Sequence, residues 1–357
     1  MTQIPDTMSA VYLPGNSTAQ IKEVAVPEPG PGQVLLKTKA STICGSDIRA
    51  IYREHKGKGP EAYQNVIAGH EPCGQIVKCG EGLKRFNTGD PVIVYHISGC
   101  GVCNDCRRGY MVSCSSEHRE AYGWQRDGGM AEYILADEKD LVYLPPRLSY
   151  TDGAQVACGF GTVYEAIRKT GIDGDDAVLV VGLGPVGLAN LMVAKAMGAN
   201  KLIGVDIKQE RIDLAREKAL VDEAYIADEQ AVKKIADATY SDEGVEKAFD
   251  CSGSSGGRQL AIRATRPRGS VAFIGEGGDV TFNPSPDLIH KQISIHGSWV
   301  TSTWMMQELT ERLVRWDIHP ETLVTHRFPI NEADQAYELM ASGKSGKVAV
   351  VFDEEIA

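Results

Sequence analysis

From Ala177 to Ala194 the chain carries no charged residue, a length that approaches a membrane span. The interior of the stretch decides otherwise. Val178-Leu179-Val180-Val181 is followed by Gly182-Leu183-Gly184-Pro185-Val186-Gly187 and then by a helix-prone run. Gly182, Gly184, Pro185 and Gly187 therefore divide the stretch into a strand, a turn and a helix, which reads as a buried βα unit and not as a transmembrane helix.

The turn matches G-x-G-x-x-G, a pattern that is weak alone and strong in context. Here it leaves a Val-rich strand, opens a helix, and is followed by Asp206 at the end of the next strand, nineteen residues after Gly187. In that setting the first glycine permits the tight turn, the second lets the backbone approach a pyrophosphate, and the third lets helix and strand pack closely. Gly182, Gly184, Pro185, Val186 and Gly187 thus predict a dinucleotide site at a helix N-terminus. Asp206 can accept hydrogen bonds from both ribose hydroxyls of NAD, and its charge would repel the additional phosphate of NADP. NAD is favoured over NADP. Lys208 either softens this preference or is a solvated surface lysine.

At 357 residues the chain exceeds the roughly 100–200 of a single domain. Two domains are expected. Residues 1–150 read as short strands, Val34–Lys39, Gly74–Val77, Pro91–Tyr95 and Ala131–Leu135, between glycine-rich turns. The period then changes. Ser149 or Thr151 can cap a helix running to about Lys169, and strands follow at Ala177–Val181, Lys201–Asp206, Glu223–Ile226, Lys247–Cys251, Ser270–Ile274 and Ser294–His296. Six strands with helical crossovers predict a doubly wound parallel sheet in an α/β fold. After Gly297 a helix from Trp304, a strand at Thr325–Pro329, a helix at Asn331–Ala341 and a strand at Lys347–Phe352 are expected to return to the first domain.

Formal charge is −11, from 37 basic and 48 acidic side chains. That balance repels phosphate backbones and anionic membranes alike, so neither nucleic acid nor a membrane is an expected partner. Met1–Ala10 has no basic n-region and no apolar h-region, so a cytoplasmic protein is expected. Nine cysteines without a secretion signal favour thiolate chemistry over a disulfide scaffold. Four of them, Cys100, Cys103, Cys106 and Cys114, form C-x2-C-x2-C-x7-C on a glycine-rich loop. Four thiolates can close tetrahedrally on one Zn²⁺ and leave no position open, which predicts a structural zinc site. A zinc ribbon for nucleic acid is the rival, opposed by the net charge and by the lack of a basic stripe around the loop.

Cys44-Gly45-Ser46-Asp47, Gly69-His70-Glu71 and Ala157-Cys158-Gly159-Phe160-Gly161-Thr162-Val163-Tyr164 say little one at a time. Taken with the four-cysteine loop and the glycine-rich turn, in this order along nearly the whole chain, they resemble the zinc-dependent medium-chain alcohol and polyol dehydrogenase family. The resemblance implies a GroES-like β domain, residues 1–152 completed by 298–357, and a Rossmann NAD-binding domain, residues 153–297. It implies that Cys44, His70 and Cys158 hold a catalytic zinc with an open fourth position, giving two zinc ions per subunit. Glu71 matches a carboxylate beside that zinc, sometimes an alternate ligand, and Asp47 matches the residue that orients the ligating histidine. Ser46 matches the hydroxyl that relays the substrate proton, and otherwise reads as a turn serine.

The implied reaction is oxidation of a secondary alcohol, a polyol or a sugar-derived hydroxyl to the carbonyl, with hydride transfer from a zinc-bound alkoxide to NAD. A carbonyl reductase working in reverse, or a zinc-stabilised binding protein without activity, are the alternatives. The family's proton-relaying histidine, five residues after the first ligand, is replaced by Arg49, which cannot release a proton near neutral pH. Cys158 resembles the alcohol branch, whereas Cys-Gly-Ser-Asp resembles the polyol branch. Cys251 with Ser252 and Gly253, Ile274 with Gly275, and Gly297 with Ser298 match cofactor-side positions and read equally as strand-end turns. Tyr52, Tyr95, His96, Trp124 and Trp299 are candidate pocket or packing aromatics. A homodimer or homotetramer is the expected assembly.

Overall fold

The computed structural model describes residues 4–240 and 242–352. The first three residues of the polar N-terminal stretch, and the last five of the expected C-terminal segment, lie outside them. The chain divides into two units, Met1–Gly161 with Thr301–Ala357, and Thr162–Val300.

In the first unit Thr7–Tyr12 (β1) and Gln20–Ala25 (β2) form an antiparallel ribbon. Sequence patterning missed this pair, and β2 shows why: it is exposed along most of its length, so no buried face marks it. Gln33–Thr42 (β3) is long and largely buried, and pairs antiparallel with Pro72–Cys79 (β4). Pro91–Val94 (β5) continues that sheet. Ile97–Ser98 (β6) and Glu120–Ala121 (β7) form a two-residue ribbon that closes the base of the four-cysteine loop. Tyr133–Asp137 (β8) pairs with β3, and Leu141–Tyr143 (β9) with β5. The helix expected from Ser149 to Lys169 is in fact Tyr150–Gln155, a π-turn at Val156–Phe160, and Gly161–Thr170. Gly159 within the wide turn and Gly161 just after it are both poor helix formers.

The second unit is a six-stranded sheet, Ala177–Val181 (β10), Lys201–Asp206 (β11), Glu223–Ile226 (β12), Val245–Asp250 (β13), Thr265–Phe273 (β14) and Ser294–Gly297 (β15). All pairings are parallel, in the order β12-β11-β10-β13-β14-β15. This is the Rossmann arrangement, with its reversal between β10 and β13. Every residue of β10 is buried, as an apolar central strand requires.

The chain returns to the first unit through the helix Thr303–Trp316, Val324–Pro329 (β16), the helix Ala333–Ser342 and Lys347–Val351 (β17). β17 pairs parallel with β16 and antiparallel with the end of β3, Ala349 opposite Thr42. The completed sheet runs β16-β17-β3-β4-β5-β9, with β8 also on β3. A core of Ile43, Ile48, Ile51, Tyr52, Tyr337 and Val350 lies on this return, and Tyr52 stacks on Tyr337 with ring centroids 5.6 Å apart. No helix of the described residues is long and apolar enough to cross a membrane.

The helix Tyr150–Gln155 is clasped from the C-terminal segment. Asp152, fully buried, closes the capping box with Ser149 and also accepts the Glu321 amide at 2.8 Å and the His319 Nδ1–H at 3.0 Å. Asp152, His319 and Glu321 are close enough to hold a metal, but each already binds its neighbours, Asp152 through Ser149, His319 and Glu321 and the Glu321 carboxylate through Ser149 and Arg327, so the group reads as a structural clasp. The Asp152 hydrogen bond raises the His319 pKa. A raised histidine contributes stability that is complete below the unfolded value, about pH 6.5, and is lost as pH rises through the folded value. Wild type should therefore exceed His319→Gln in Tm at pH 6, with the gap closing as pH rises above neutral, read by thermal denaturation across a pH series. A gap independent of pH would contradict the clasp.

Candidate active site and metal centres

Sheet register brings the site together. β3 ends at Thr42, two residues before Cys44; Ser41 of β3 faces Pro72 of β4, so His70 and Glu71, just before β4, arrive at the same edge. Cys44 caps the single turn Gly45–Asp47, and its amide donates to Asp47 Oδ2 at 2.9 Å. Asp47 Oδ1 in turn accepts the His70 Nδ1–H at 2.7 Å. Asp47, fully buried, thus fixes the Cys44 turn and turns His70 so that Nε2 is its remaining ligand atom. Cys158 comes from the π-turn, within the first unit. Ligand atoms of Cys44, His70, Glu71 and Cys158 all lie within 4.8 Å of one another.

The Cys158 S–H donates to Cys44, which draws the Cys44 thiol well below its ordinary value, with help from His70, and pushes Cys158 up. Burial opposes a charge on His70, yet Asp47 raises it well above the ordinary imidazole value. Burial pushes Glu71 up to about 7 against the pull of Lys347. Thr42 Oγ1 and Lys347 Nζ both contact Glu71 Oε2, while Glu71 Oε1 is buried without a protein partner. Two thiols and an oriented imidazole are a donor set that suits Zn²⁺ with three protein ligands, and the orphaned Glu71 oxygen lies within reach of the fourth position.

Lys347 and Thr42 were not singled out as site residues by sequence. Lys347 opens β17 and is 3% exposed; a lysine heading an apolar strand was the available signal. His96, a candidate lining aromatic, is buried with its ring centroid 5.1 Å from that of His70. Its Nδ1–H donates to the Ala157 carbonyl at 2.8 Å, and burial followed by the charge of His70 pulls it down to about 3, so it is neutral. Ser46 is half-buried on the Cys44 turn, and Arg49 is exposed on the following π-turn, Ile48–Tyr52. Tyr95, whose hydroxyl donates to the Thr301 carbonyl at 2.7 Å, and Trp124, packed on the core, serve packing.

The four-cysteine loop converges independently. All four sulfurs lie within 4.8 Å of one another, with Cys100 and Cys106 4.0 Å apart. Tetrahedral Zn–S bonds of about 2.3 Å place sulfurs about 3.8 Å apart, so the loop already has the spacing of a closed site. Backbone amides of Cys103, Cys106 and Cys100 point at Cys100, Cys103 and Cys114 Sγ, at 3.4, 3.5 and 3.4 Å. Amides of Val102 and Cys103 lower the Cys100 thiol to about 6, favouring the thiolate that a metal needs.

In the second unit Gly182 has φ +92°, and a Cβ on Gly187 would sit 1.9 Å from the Gly182 carbonyl oxygen, so the turn admits only glycine at both positions. Pro185 and Val186 open the helix Pro185–Ala196, with Gly184 as its cap. Asp206 Oδ2 accepts the Leu183 amide at 2.7 Å and Oδ1 the Lys208 amide at 2.9 Å. It also pairs with Arg211 at 3.4 Å, a residue absent from the sequence-based set, whose guanidinium flanks Gly184. The Cys251 and Ile274 amides donate to Val181 and Asp250 carbonyls at 2.8 and 2.9 Å, fixing the ends of β13 and β14.

Residues 30–146 match the alcohol dehydrogenase GroES-like domain, and residues 185–315 the zinc-binding dehydrogenase domain. The zinc-type alcohol dehydrogenase-like protein YphC of Escherichia coli is 51% identical over 98% of this chain and 99% of its own. Sorbitol dehydrogenase of Halalkalibacterium halodurans is 34% identical over 94% and 96%. Among solved structures, acetophenone reductase of Geotrichum candidum in complex with NAD superposes with a TM-score of 0.81 at 25% identity, covering 99% of this chain and 100% of that one. With both domain matches and these full-length relatives, the chain belongs to the zinc-dependent medium-chain alcohol dehydrogenase family.

Proposed function

We propose that the protein is an NAD-dependent zinc dehydrogenase that oxidises a secondary alcohol, a polyol or a sugar-derived hydroxyl to the carbonyl. The observation that carries this is the convergence of Cys44, His70 and Cys158 within one buried cluster whose histidine is already turned by Asp47. Zinc would supply a Lewis acid that favours the deprotonated hydroxyl, and NAD would accept the hydride. Cys44, His70 and Cys158 hold the metal, Asp47 orients His70, and Glu71 is kept beside the set by Lys347 and Thr42. Ser46 takes the substrate proton. Arg49 contributes a positive charge that favours the deprotonated substrate, with water carrying the proton away. Cys100, Cys103, Cys106 and Cys114 hold the second, structural zinc.

The Gly182–Gly187 turn binds the pyrophosphate, Asp206 the adenosine ribose, and Cys251 and Ile274 flank the cofactor from their strand ends. Asp206→Ala should weaken NAD more than NADP, by about 1.5–3 kcal/mol for the lost charge-assisted hydrogen bonds, measured as the two dissociation constants. A wild-type preference for NADP would contradict the assignment. The presence of a reductase among the relatives favours a second reading in which the same residues work mainly from ketone to alcohol. All nine cysteines are free of disulfides, in keeping with a cytoplasmic enzyme. A homodimer or homotetramer fits a sheet whose edge strand β15 pairs on one side only among the described residues.

A panel of alcohols, polyols and cyclitols with NAD, followed by nicotinamide absorbance, tests the proposal. Reduction of NAD by at least one secondary hydroxyl is expected. Inertness toward every member, together with inertness of the matching ketones with NADH, would overturn it.

A further inference from the structure

Beside the four-cysteine loop lies a groove of about 550 Å³ that the dehydrogenase chemistry does not use. Its volume falls in the range of small-ligand sites, roughly 300–1,000 Å³. Arg85, Arg107, Arg108 and Lys139 line it, with the first turn of the helix Thr303–Trp316 as the opposite wall.

The charges there are unusual for a chain of net charge −11. Arg85, Arg107 and Arg108 form no ion pair among the described residues. Lys139 is already held by Asp137 at 2.8 Å. Glu138, the acidic residue of the lining, directs its Oε1 to the backbone amides of Lys84 and Arg85, at 2.8 and 2.6 Å. Three guanidinium groups from two separate segments are left facing one concavity.

The helix wall adds donors of the same sense. In its first turn the Thr303 amide donates to the Gly109 carbonyl at 3.1 Å and the Met305 amide to Ser302 Oγ at 3.3 Å, whereas the Trp304 amide has no partner among the described residues. Fourteen residues give this helix a developed positive end. The Trp304 indole, 44% exposed, offers a flat apolar face at the same wall. Forked guanidinium donors and an open helix-end amide match the oxygens of a phosphate dianion. The modest volume of the groove and the overall acidity of the chain favour a small molecule over a nucleic acid.

We propose that this groove binds a small phosphorylated ligand, with Arg85, Arg107 and Arg108 as its phosphate contacts. Because Gly101 and Cys106 also line the groove, such a ligand would brace the four-cysteine loop against the Thr303–Trp316 helix.

Pyrophosphate is the first probe, titrated calorimetrically at low salt into the zinc-loaded full chain saturated with NADH, so that the Gly182–Gly187 turn is blocked. Saturable binding of one pyrophosphate per chain is expected, weakening as salt rises. Arg107→Ala combined with Arg108→Ala, and separately Arg85→Ala, should each weaken it at least about tenfold with dehydrogenase turnover unchanged. ADP is the second probe: tighter binding than pyrophosphate assigns a nucleotide stacked on Trp304, and equal binding a bare phosphate ester. No saturable binding, or binding indifferent to both variants, would overturn the proposal. A change of oligomeric state in the variants without any pyrophosphate binding in wild type would also overturn it, and would make the groove an interface between copies.

Discussion

Alanine at His70 is expected to lower nicotinamide reduction by about a hundredfold to several thousandfold while leaving the fold intact. A Lewis acid at a reacting oxygen contributes several kcal/mol, taken here as about 3–5, and each 1.4 kcal/mol is tenfold in rate. In the proposed site His70 is one of three ligands, and Cys44 with Cys158 alone would hold the metal weakly. The structural consequence is smaller. Asp47 loses the imidazole at 2.7 Å but keeps the Cys44 amide at 2.9 Å, so the Cys44 turn survives at a cost of about 1–3 kcal/mol for the unmatched carboxylate oxygen. Steady-state kinetics with circular dichroism reads both effects. A change confined to KM, with kcat preserved, would contradict a metal role for His70.

Lys347→Ala should be the most destabilising single change near the site, by about 3–5 kcal/mol, the range for stripping one partner from a buried ion pair. The Lys347 and Glu71 side chains are 4% and 0% exposed, and the alanine variant leaves Glu71 facing two thiols with only Thr42 as donor. The loss has a pH signature. Burial already pushes Glu71 up to about 7, and removal of Lys347 pushes it further. A carboxyl raised in the folded state contributes stability below its unfolded value, about 4.3, and loses it as pH rises through the folded value. Urea midpoints of variant and wild type should therefore converge toward pH 5 and diverge above pH 7, with Lys347→Arg close to wild type. A deficit below 1 kcal/mol at every pH would contradict the ion pair.

What could be read from sequence follows from how local each signal is. The strand, Gly182–Gly187 turn and Asp206 are contiguous and periodic, and Ala177–Val181, Lys201–Asp206 and Glu223–Ile226 appear in the structure at their expected bounds. The Cys100–Cys114 loop is equally local. Cys44, His70 and Cys158 are separated by long intervals, and only the resemblance of the whole motif order joined them. Lys347 stood out only as a lysine heading an apolar strand; its place beside Glu71 could not be read because that partner lies 276 positions earlier, reached through the β17–β3 pairing. The π-turns at Ile48–Tyr52 and Val156–Phe160 escaped for a different reason: no periodicity in the chain records a single widened turn. Arg211 looked like any exposed lysine or arginine of an amphipathic helix until its contact with Asp206 was seen.

The most direct test follows metal content and turnover together in the wild-type protein under graded chelation. Two separate donor clusters, one of Cys44, His70, Glu71 and Cys158 and one of four cysteine sulfurs, predict two zinc ions per chain under the proposed function, and the first lost is expected to be the one at Cys44, His70 and Cys158. NAD reduction should vanish as content falls from two to one, with the fold retained, and return when zinc is restored. Turnover that persists with that metal gone, or a wild-type content of one zinc with full activity, would contradict the account.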